Sequence, residues 1–196
     1  GSGVPSRSGD LALFETANWT LAARNEEAHR DTVNTVAFSP DGKWLASGGG
    51  DRFVRTFEVE GLLPAQSFEG HQGHVLDVAW SPDQLFLSSA ASDAEVKTWN
   101  RLENEEESKV TTFRKEVVAV EYVGGSGDLL TAAGDESLMV AGRPVSGGGK
   151  TFLHTAQIDA EGSVVIAGGE DGALRVWDGK TRQLKFEFSA GKESKR

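Results

Sequence analysis

The sequence predicts an all-β fold made of similar units arranged radially, and three observations carry that prediction. A small-residue strand closing on Gly or Ala and then Asp occurs four times, as Trp44-Leu45-Ala46-Ser47-Gly48-Gly49-Gly50-Asp51, Leu87-Ser88-Ser89-Ala90-Ala91-Ser92-Asp93, Leu130-Thr131-Ala132-Ala133-Gly134-Asp135 and Val165-Ile166-Ala167-Gly168-Gly169-Glu170-Asp171. The four aspartates are 42, 42 and 36 residues apart. Apolar alternation is short and punctuated by turn residues, and no stretch carries a helical period. A single unit of about 40 residues cannot bury both faces of its sheet, so it must stack on its neighbours.

Each unit reads in order as four strands. In the first, Val33, Val36 and Phe38 lead into Ser39-Pro40-Asp41-Gly42, a β-turn whose Pro and Gly preset the backbone angles. Strands follow near 44–49, 53–59 and 65–70. The second unit repeats this at 75–80, the turn Ser81-Pro82-Asp83-Gln84, then 85–91, 95–100 and 108–114. The third is expected at 117–123, 128–133, 137–142 and 150–154, and the fourth near 152–158, 163–168, 173–177 and 183–188. At the N-terminus Gly1-Ser2-Gly3 reads as the end of a small-residue strand and Leu11 to Glu15 as the next strand, with Ser6 to Asp10 as a long loop between them.

Composition narrows the chemistry. The 196 residues carry a net charge of −10, which disfavours nucleic acid and anionic membranes, both of which need clustered cations. A protein or peptide partner is favoured instead. There is no cysteine, so disulfides, thiolate nucleophiles and Cys-ligated zinc are excluded within this chain. No apolar run approaches the roughly 18 residues that span a bilayer, so no membrane insertion is expected.

Gly70-His71, Val75, Val78, Trp80-Ser81-Pro82-Asp83, Ser89, Asp93 and Val96-Lys97-Thr98-Trp99-Asn100 together resemble a WD-repeat, and Leu174-Arg175-Val176-Trp177-Asp178 ends on the dipeptide that gives the family its name. The resemblance runs from about residue 11 to 188 and is most similar to bacterial WD-repeat segments. It implies a β-propeller of four-stranded antiparallel blades around a central channel, about four and a half of them here. The expected division is a partial blade at 1–27, blades at 28–71, 72–114, 115–154 (degenerate) and 155–190, and a polar tail at 191–196. Rings of this family favour seven or eight blades, so the chain reads either as the C-terminal part of a longer protein or as one of two copies that self-associate to complete a ring.

The resemblance also implies a buried His–Ser/Thr–Asp–Trp network. The second unit has all four members, His71, Ser89, Asp93 and Trp99. The first keeps His29, Ser47 and Asp51 but has Phe57 for Trp. The third has Phe113, Thr131, Asp135 and Ala141, and the fourth Gly148, Ala167, Asp171 and Trp177. A closed chain of such donors and acceptors leaves no buried group unpaired.

Read as catalysis, Ser, His and Asp would make a hydrolase triad, but their recurrence at matching positions fits packing better. Ser146-Gly147-Gly148-Gly149-Lys150-Thr151 resembles the end of a phosphate-binding loop, yet Pro144 stands where a glycine is needed and a strand follows. His71-Gln72-Gly73-His74 lacks a third ligand, so no metal and no cofactor is expected. Glu103 to Glu107 reads as a solvated acidic loop, with docking of a basic partner as the alternative. Asp77 and Glu121 are the ionisable residues on the channel strands.

Family precedent puts partner binding on the loops that enter each innermost strand. Carried over by position, the candidates are Thr32, Asn34 and Gly50, then His74, Leu76 and Ser92, then Glu116, Val118 and Gly134, and Glu170. The function expected is a non-catalytic interaction scaffold. The alternative is an accessory propeller of a larger enzyme or cytochrome-type electron-transfer protein.

Overall fold

The computed structural model describes residues 2–4 and 8–189. Their strands form five antiparallel sheets, each made of consecutive segments. The N-terminal sheet has three strands, β1 (Ser2–Val4), β2 (Ser8–Phe14) and β3 (Leu21–His29). The first full sheet comprises β4 (Val33–Phe38), β5 (Trp44–Gly49), β6 (Val54–Glu58) and β7 (Leu63–Phe68), and the second β8 (Val75–Trp80), β9 (Phe86–Ala91), β10 (Val96–Asn100) and β11 (Glu105–Val110). The third holds β12 (Val117–Tyr122), β13 (Leu129–Ala133), β14 (Leu138–Val140) and β15 (Arg143–Pro144). The fourth holds β16 (Leu153–Ile158), β17 (Val164–Gly169), β18 (Ala173–Asp178) and β19 (Leu184–Ser189). Strands β4, β8, β12 and β16 lie side by side, so the sheets stand as blades around a common axis. Among the described residues no helix is long and apolar enough to cross a membrane.

Every innermost strand carries a register shift at the same place, between Val33 and Thr35, Val75 and Asp77, Val117 and Ala119, and Leu153 and Thr155. A bulge inserts one residue and resets the alternation of side chains. The buried stripe therefore follows the spacing Val75, Val78, Trp80 rather than strict period two. That stripe packs on the preceding sheet, where Ala46 and Val54 join Val75, Val78, Trp80, Leu87 and Trp99 in one core cluster. The next joint repeats this with Ala90 and Val96 against Val117 and Val120, and the third with Leu130 and Leu138 against Leu153 and Ala156.

Among the described residues two faces are covered incompletely or not at all, although Leu11 and Ala28 of the N-terminal sheet do pack on Val33, Leu45 and Phe57 of the first. Val36 and Phe38 are 43% and 57% exposed, whereas their counterparts Val78 and Trp80 are 4% and 7% exposed. On the far side of the fourth sheet Ile166, Leu174, Phe186 and Phe188 are all exposed, although Phe68, the counterpart of Phe188, is buried against Trp99.

The structure corrects four local expectations. The outer strand of the third sheet is Arg143–Pro144, not 150–154, because Ala141 and Gly142 take positive φ (53° and 68°) and close a two-residue hairpin straight after Val140. Residues 145–152 then cross to the fourth sheet, where Ser146 bridges Gln183, so the boundary expected between 154 and 155 falls inside β16. Glu105 to Glu107 belong to β11 rather than to a loop, and the Lys97 ammonium, 2.5 Å from Glu106, holds one of these carboxylates. Ser8 to Asp10 are strand, paired with β1, while Gly1, Ser6, Arg7 and the tail at 191–196 lie outside the described residues.

The third sheet has the shortest outer strands, three and two residues against five and six in the second. Native-state amide exchange should therefore be faster in β14 than in β10. Equal protection in the two strands would contradict this ranking.

Candidate functional site

The candidate site is built on the turn that joins the second and third strand of each blade. In all four full sheets the turn aspartate accepts from the backbone N–H two residues on, Phe53 (3.3 Å), Glu95, Ser137 and Ala173 (3.1 Å each). This local bond bends the chain so that the residue after Asp takes positive φ, 73° at Arg52, 65° at Ala94, 76° at Glu136 and 71° at Gly172. In three sheets the second carboxylate oxygen reaches the loop entering the innermost strand. Asp51 accepts from Arg30 N–H (2.9 Å), Asp93 from Gln72 N–H (2.7 Å) and Asp135 from Arg114 N–H (2.8 Å). In the fourth the Arg175 guanidinium takes that place, 2.5 Å from Asp171 Oδ2.

Behind the second turn His71, Ser89, Asp93 and Trp99 form a continuous chain. His71 Nδ1 lies 2.9 Å from Asp93, His71 Nε2 2.8 Å from Ser89 Oγ, and the Trp99 indole N–H donates to Ser89 Oγ at 2.9 Å. In the first sheet His29 bridges Asp51 (2.8 Å) and Ser47 (2.6 Å), and Arg55 donates to Asp51 at 2.7 Å, while Phe57 fills the indole position without a donor. In the third Phe113, at the His position, and Thr131 are both buried, and Ala141 forms the hairpin turn. In the fourth the Trp177 indole donates to Ser146 O at 3.2 Å, and a Cβ on Gly148 would strike its ring.

Ser89 is fully buried with its hydroxyl engaged by His71 and Trp99, an arrangement that keeps a substrate from Oγ. The carboxylate of Glu95 joins His71 and Asp93 within 4.8 Å, but His71 Nδ1 is engaged by Asp93 and Lys97 Nζ stands 3.3 Å from Glu95. Gly147, Gly148 and Gly149 all have positive φ and lead into β16, so this loop feeds a strand and no helix N-terminus. Asp77 accepts from Thr35 Oγ1 and Val120 N–H, and Glu121 from Ile158 N–H, so both carboxylates sew neighbouring inner strands together along a channel of about 360 Å³. Burial raises the pKa of both, and the charge of Asp77 raises Glu121 further.

The partner-binding candidates gather at one end of the blades. One backbone bond recurs there, Gly50 N–H to Thr32 O, Ser92 N–H to His74 O, Gly134 N–H to Glu116 O and Glu170 N–H to Phe152 O. It aligns Thr32, His74, Glu116 and Phe152 as equivalent positions. Asn34, His74, Ser92 and Glu170 are exposed, Leu76 and Val118 half-buried, and Asn34 donates to Val75 O at 2.9 Å. Phe152 lies within the strand that the sequence pattern predicts at 150–154, and its place four residues after Gly148 and one before the stripe residue Leu153 is the signal that marks it as a loop position. Its ring lies over Gly134, with His154 at 5.0 Å and the Lys115 ammonium at 5.5 Å, beside a cavity of about 420 Å³.

Comparison with known proteins adds three findings. The family model "WD domain, G-beta repeat" matches residues 22–58, 63–100 and 148–178, more than half of the chain. A 33-residue stretch is 58% identical to "Protein HIR1" of Kluyveromyces lactis, covering 17% of this chain and 4% of that protein. The β-propeller domain of Cps50 (Swd1) from Myceliophteria thermophila superposes with a TM-score of 0.71 at 22% identity, over 81% of this chain and 56% of that one. The chain thus spans about half the length of the propeller it matches and a small part of the sequence relative.

Removing the hub of the second network leaves His71 and Trp99 without their shared partner. Ser89→Ala should cost about 2–4 kcal/mol in denaturant unfolding, and Ser47→Ala less, because Phe57 has no N–H to strand. Equal losses would refute this. Burial holds His71 below its ordinary 6.5, and at Asp93 burial is outweighed by donation from His71 and Gln72, leaving it below 3.8. For both groups the unfolded chain binds protons first, so their stabilisation is full above about pH 6.5. It should decline as pH falls through the His71 and then the Asp93 value. A flat melting temperature from pH 7 to 3 in Ser89-intact protein would contradict it.

Proposed function

The chain belongs to the WD-domain, G-beta-repeat family, and from that premise we propose that it is a non-catalytic scaffold that binds a protein or peptide partner. The observation that carries this reading is the single face on which four structurally equivalent loops are pinned by the same backbone bond. A rigid base with variable tips is how loops acquire specificity at low entropic cost. Thr32, Asn34, His74, Leu76, Ser92, Glu116, Val118 and Glu170 supply the variable positions, and Phe152 with Lys115 and His154 supplies an aromatic anchor. The net charge of −10 favours a protein partner over nucleic acid.

Capture from lysate of the source organism, quantified by mass spectrometry, tests the face. Phe152→Ser and Lys115→Glu should each deplete the same set of proteins, while Lys43→Glu at the opposite end of the blades should not. Identical capture by all four proteins would rule the loop face out.

A second reading rests on the exposed apolar side chains at Val36 and Phe38 and on the uncovered face at Ile166, Leu174, Phe186 and Phe188. These match the two halves of an internal joint, so association that covers them, including self-association, is favoured. Light scattering on the 20.9 kDa chain should show concentration-dependent association that Phe186→Ser with Phe188→Ser abolishes. A concentration-independent monomer would exclude self-association.

A further inference from the structure

At the end of the blades opposite the loop face, the joint between the first and second sheets is closed by one side chain. The Arg101 guanidinium lies over the Trp44 ring at 5.0 Å and its Nε donates to Gln84 O at 3.2 Å. Its backbone is held as well, with Arg101 N–H donating to Leu85 O at 2.9 Å and Arg101 O accepting from the Gln66 amide. The Gln84 side-chain amide, turned toward Asp41, donates to that carboxylate and completes the seam.

The next joint has the same construction without the plug. Counting from the network Ser and the turn Asp, Phe86 stands where Trp44 does, Tyr122 where Trp80 does, Ser126 where Gln84 does, and Arg143 where Arg101 does. Arg143, however, is drawn into the tight hairpin as a residue of β15 paired with Val140, and it is exposed. The turn Gly125-Ser126-Gly127 supplies no side chain comparable with Gln84 or Leu85. What remains is a cavity of about 610 Å³ bounded by Phe86, Tyr122, Pro82, Asp83, Glu107 and the Ser126 turn. That volume suits a bound side chain and its flanking backbone. Tyr122 is tied to Ser88 at 3.0 Å, so the wall is preformed.

We propose that this cleft binds an arginine side chain of a protein partner, in the manner in which Arg101 fills the preceding joint. The half-buried Phe86 ring offers the stacking face, the Gly125-Ser126-Gly127 turn that lines the cleft offers polar backbone and the Ser126 hydroxyl, and the exposed carboxylates of Glu107 and Asp83 supply the countercharge. Among the described residues no Lys or Arg lines the cavity. A planar guanidinium uses all of these at once, whereas an ammonium cannot both stack and fork. The acidic segment that runs up to Glu107 extends the same field along β11 and favours a basic segment around the arginine. This site is separate from the loop face, and a protein could engage one without the other.

The test is an NMR titration of the isotope-labelled chain with capped Gly-Ser-Gly-Arg-Gly-Ser-Gly and with the same peptide carrying citrulline, the uncharged isostere. The arginine peptide should shift the amides of Phe86, Tyr122 and Ser126 saturably. Citrulline, or Glu107→Lys in the chain, should weaken binding roughly tenfold, the effect of one charge-assisted hydrogen bond. Glu107 is exposed, so an unchanged thermal melt of the variant certifies its fold. Binding of both peptides within about twofold of each other, or shifts confined to the loop face, would overturn the proposal.

Discussion

The carboxylate of the turn aspartate is the constraint on which the rest of the structure depends. One oxygen closes the turn onto the backbone two residues ahead, and in three sheets the other reaches some twenty residues back to the loop that enters the innermost strand. A single side chain thus ties the middle of a blade to its beginning. The turn imposes positive φ on Arg52, Ala94 and Glu136, a conformation that costs L-residues about 1 kcal/mol or more. The structure tolerates that cost three times because the hydrogen bonds it permits hold the loop face in place. Asp51, Asp93 and Asp135 all sit below the ordinary carboxylate range, with burial opposing and hydrogen bonding prevailing, as expected for carboxylates that must be charged to do this.

From that anchor the blades assemble by a second repeated device, the bulge at the start of each innermost strand. It converts period-two alternation into a stripe of apolar residues that meets the preceding sheet. The joints differ in how they are finished. The Trp80 indole N–H donates to Ala37 O at 3.0 Å in one, and the Tyr122 hydroxyl pairs with Ser88 in the next. Where the finishing side chain is missing, as at the unplugged cleft beside Phe86, space remains for something else. On the outer face of the fourth sheet, where no described residue packs, large apolar side chains stand in solvent.

Much of this was legible from residues close together in sequence. The Asp landmarks, the Ser-Pro-Asp turns and the His71 set all report local geometry or a fixed spacing. The third blade is less legible because a two-residue hairpin at Ala141–Gly142 carries no apolar alternation of its own, so the alternation of β16 resembles an outer strand of the third blade. The acidic residues 105–107 resemble a loop in composition because their strand character comes from pairing with β10, a contact that composition does not show. Phe152 and Arg101 escaped for a related reason. Their roles depend on which neighbour lies across a joint, and the ring over Gly134 and the guanidinium over Trp44 are both partnerships between blades.

The most direct test of this account removes the anchor from the complete blade. In Asp93→Ala, amide exchange at Gln72, Ser92 and Glu95 should rise to near the rate of unstructured chain while Val78, Leu87 and Val96 stay protected, a local release of turn and loop together. If Gln72 and Ser92 kept their protection in that variant, the turn aspartate would not be what holds the loop face, and the account would fail.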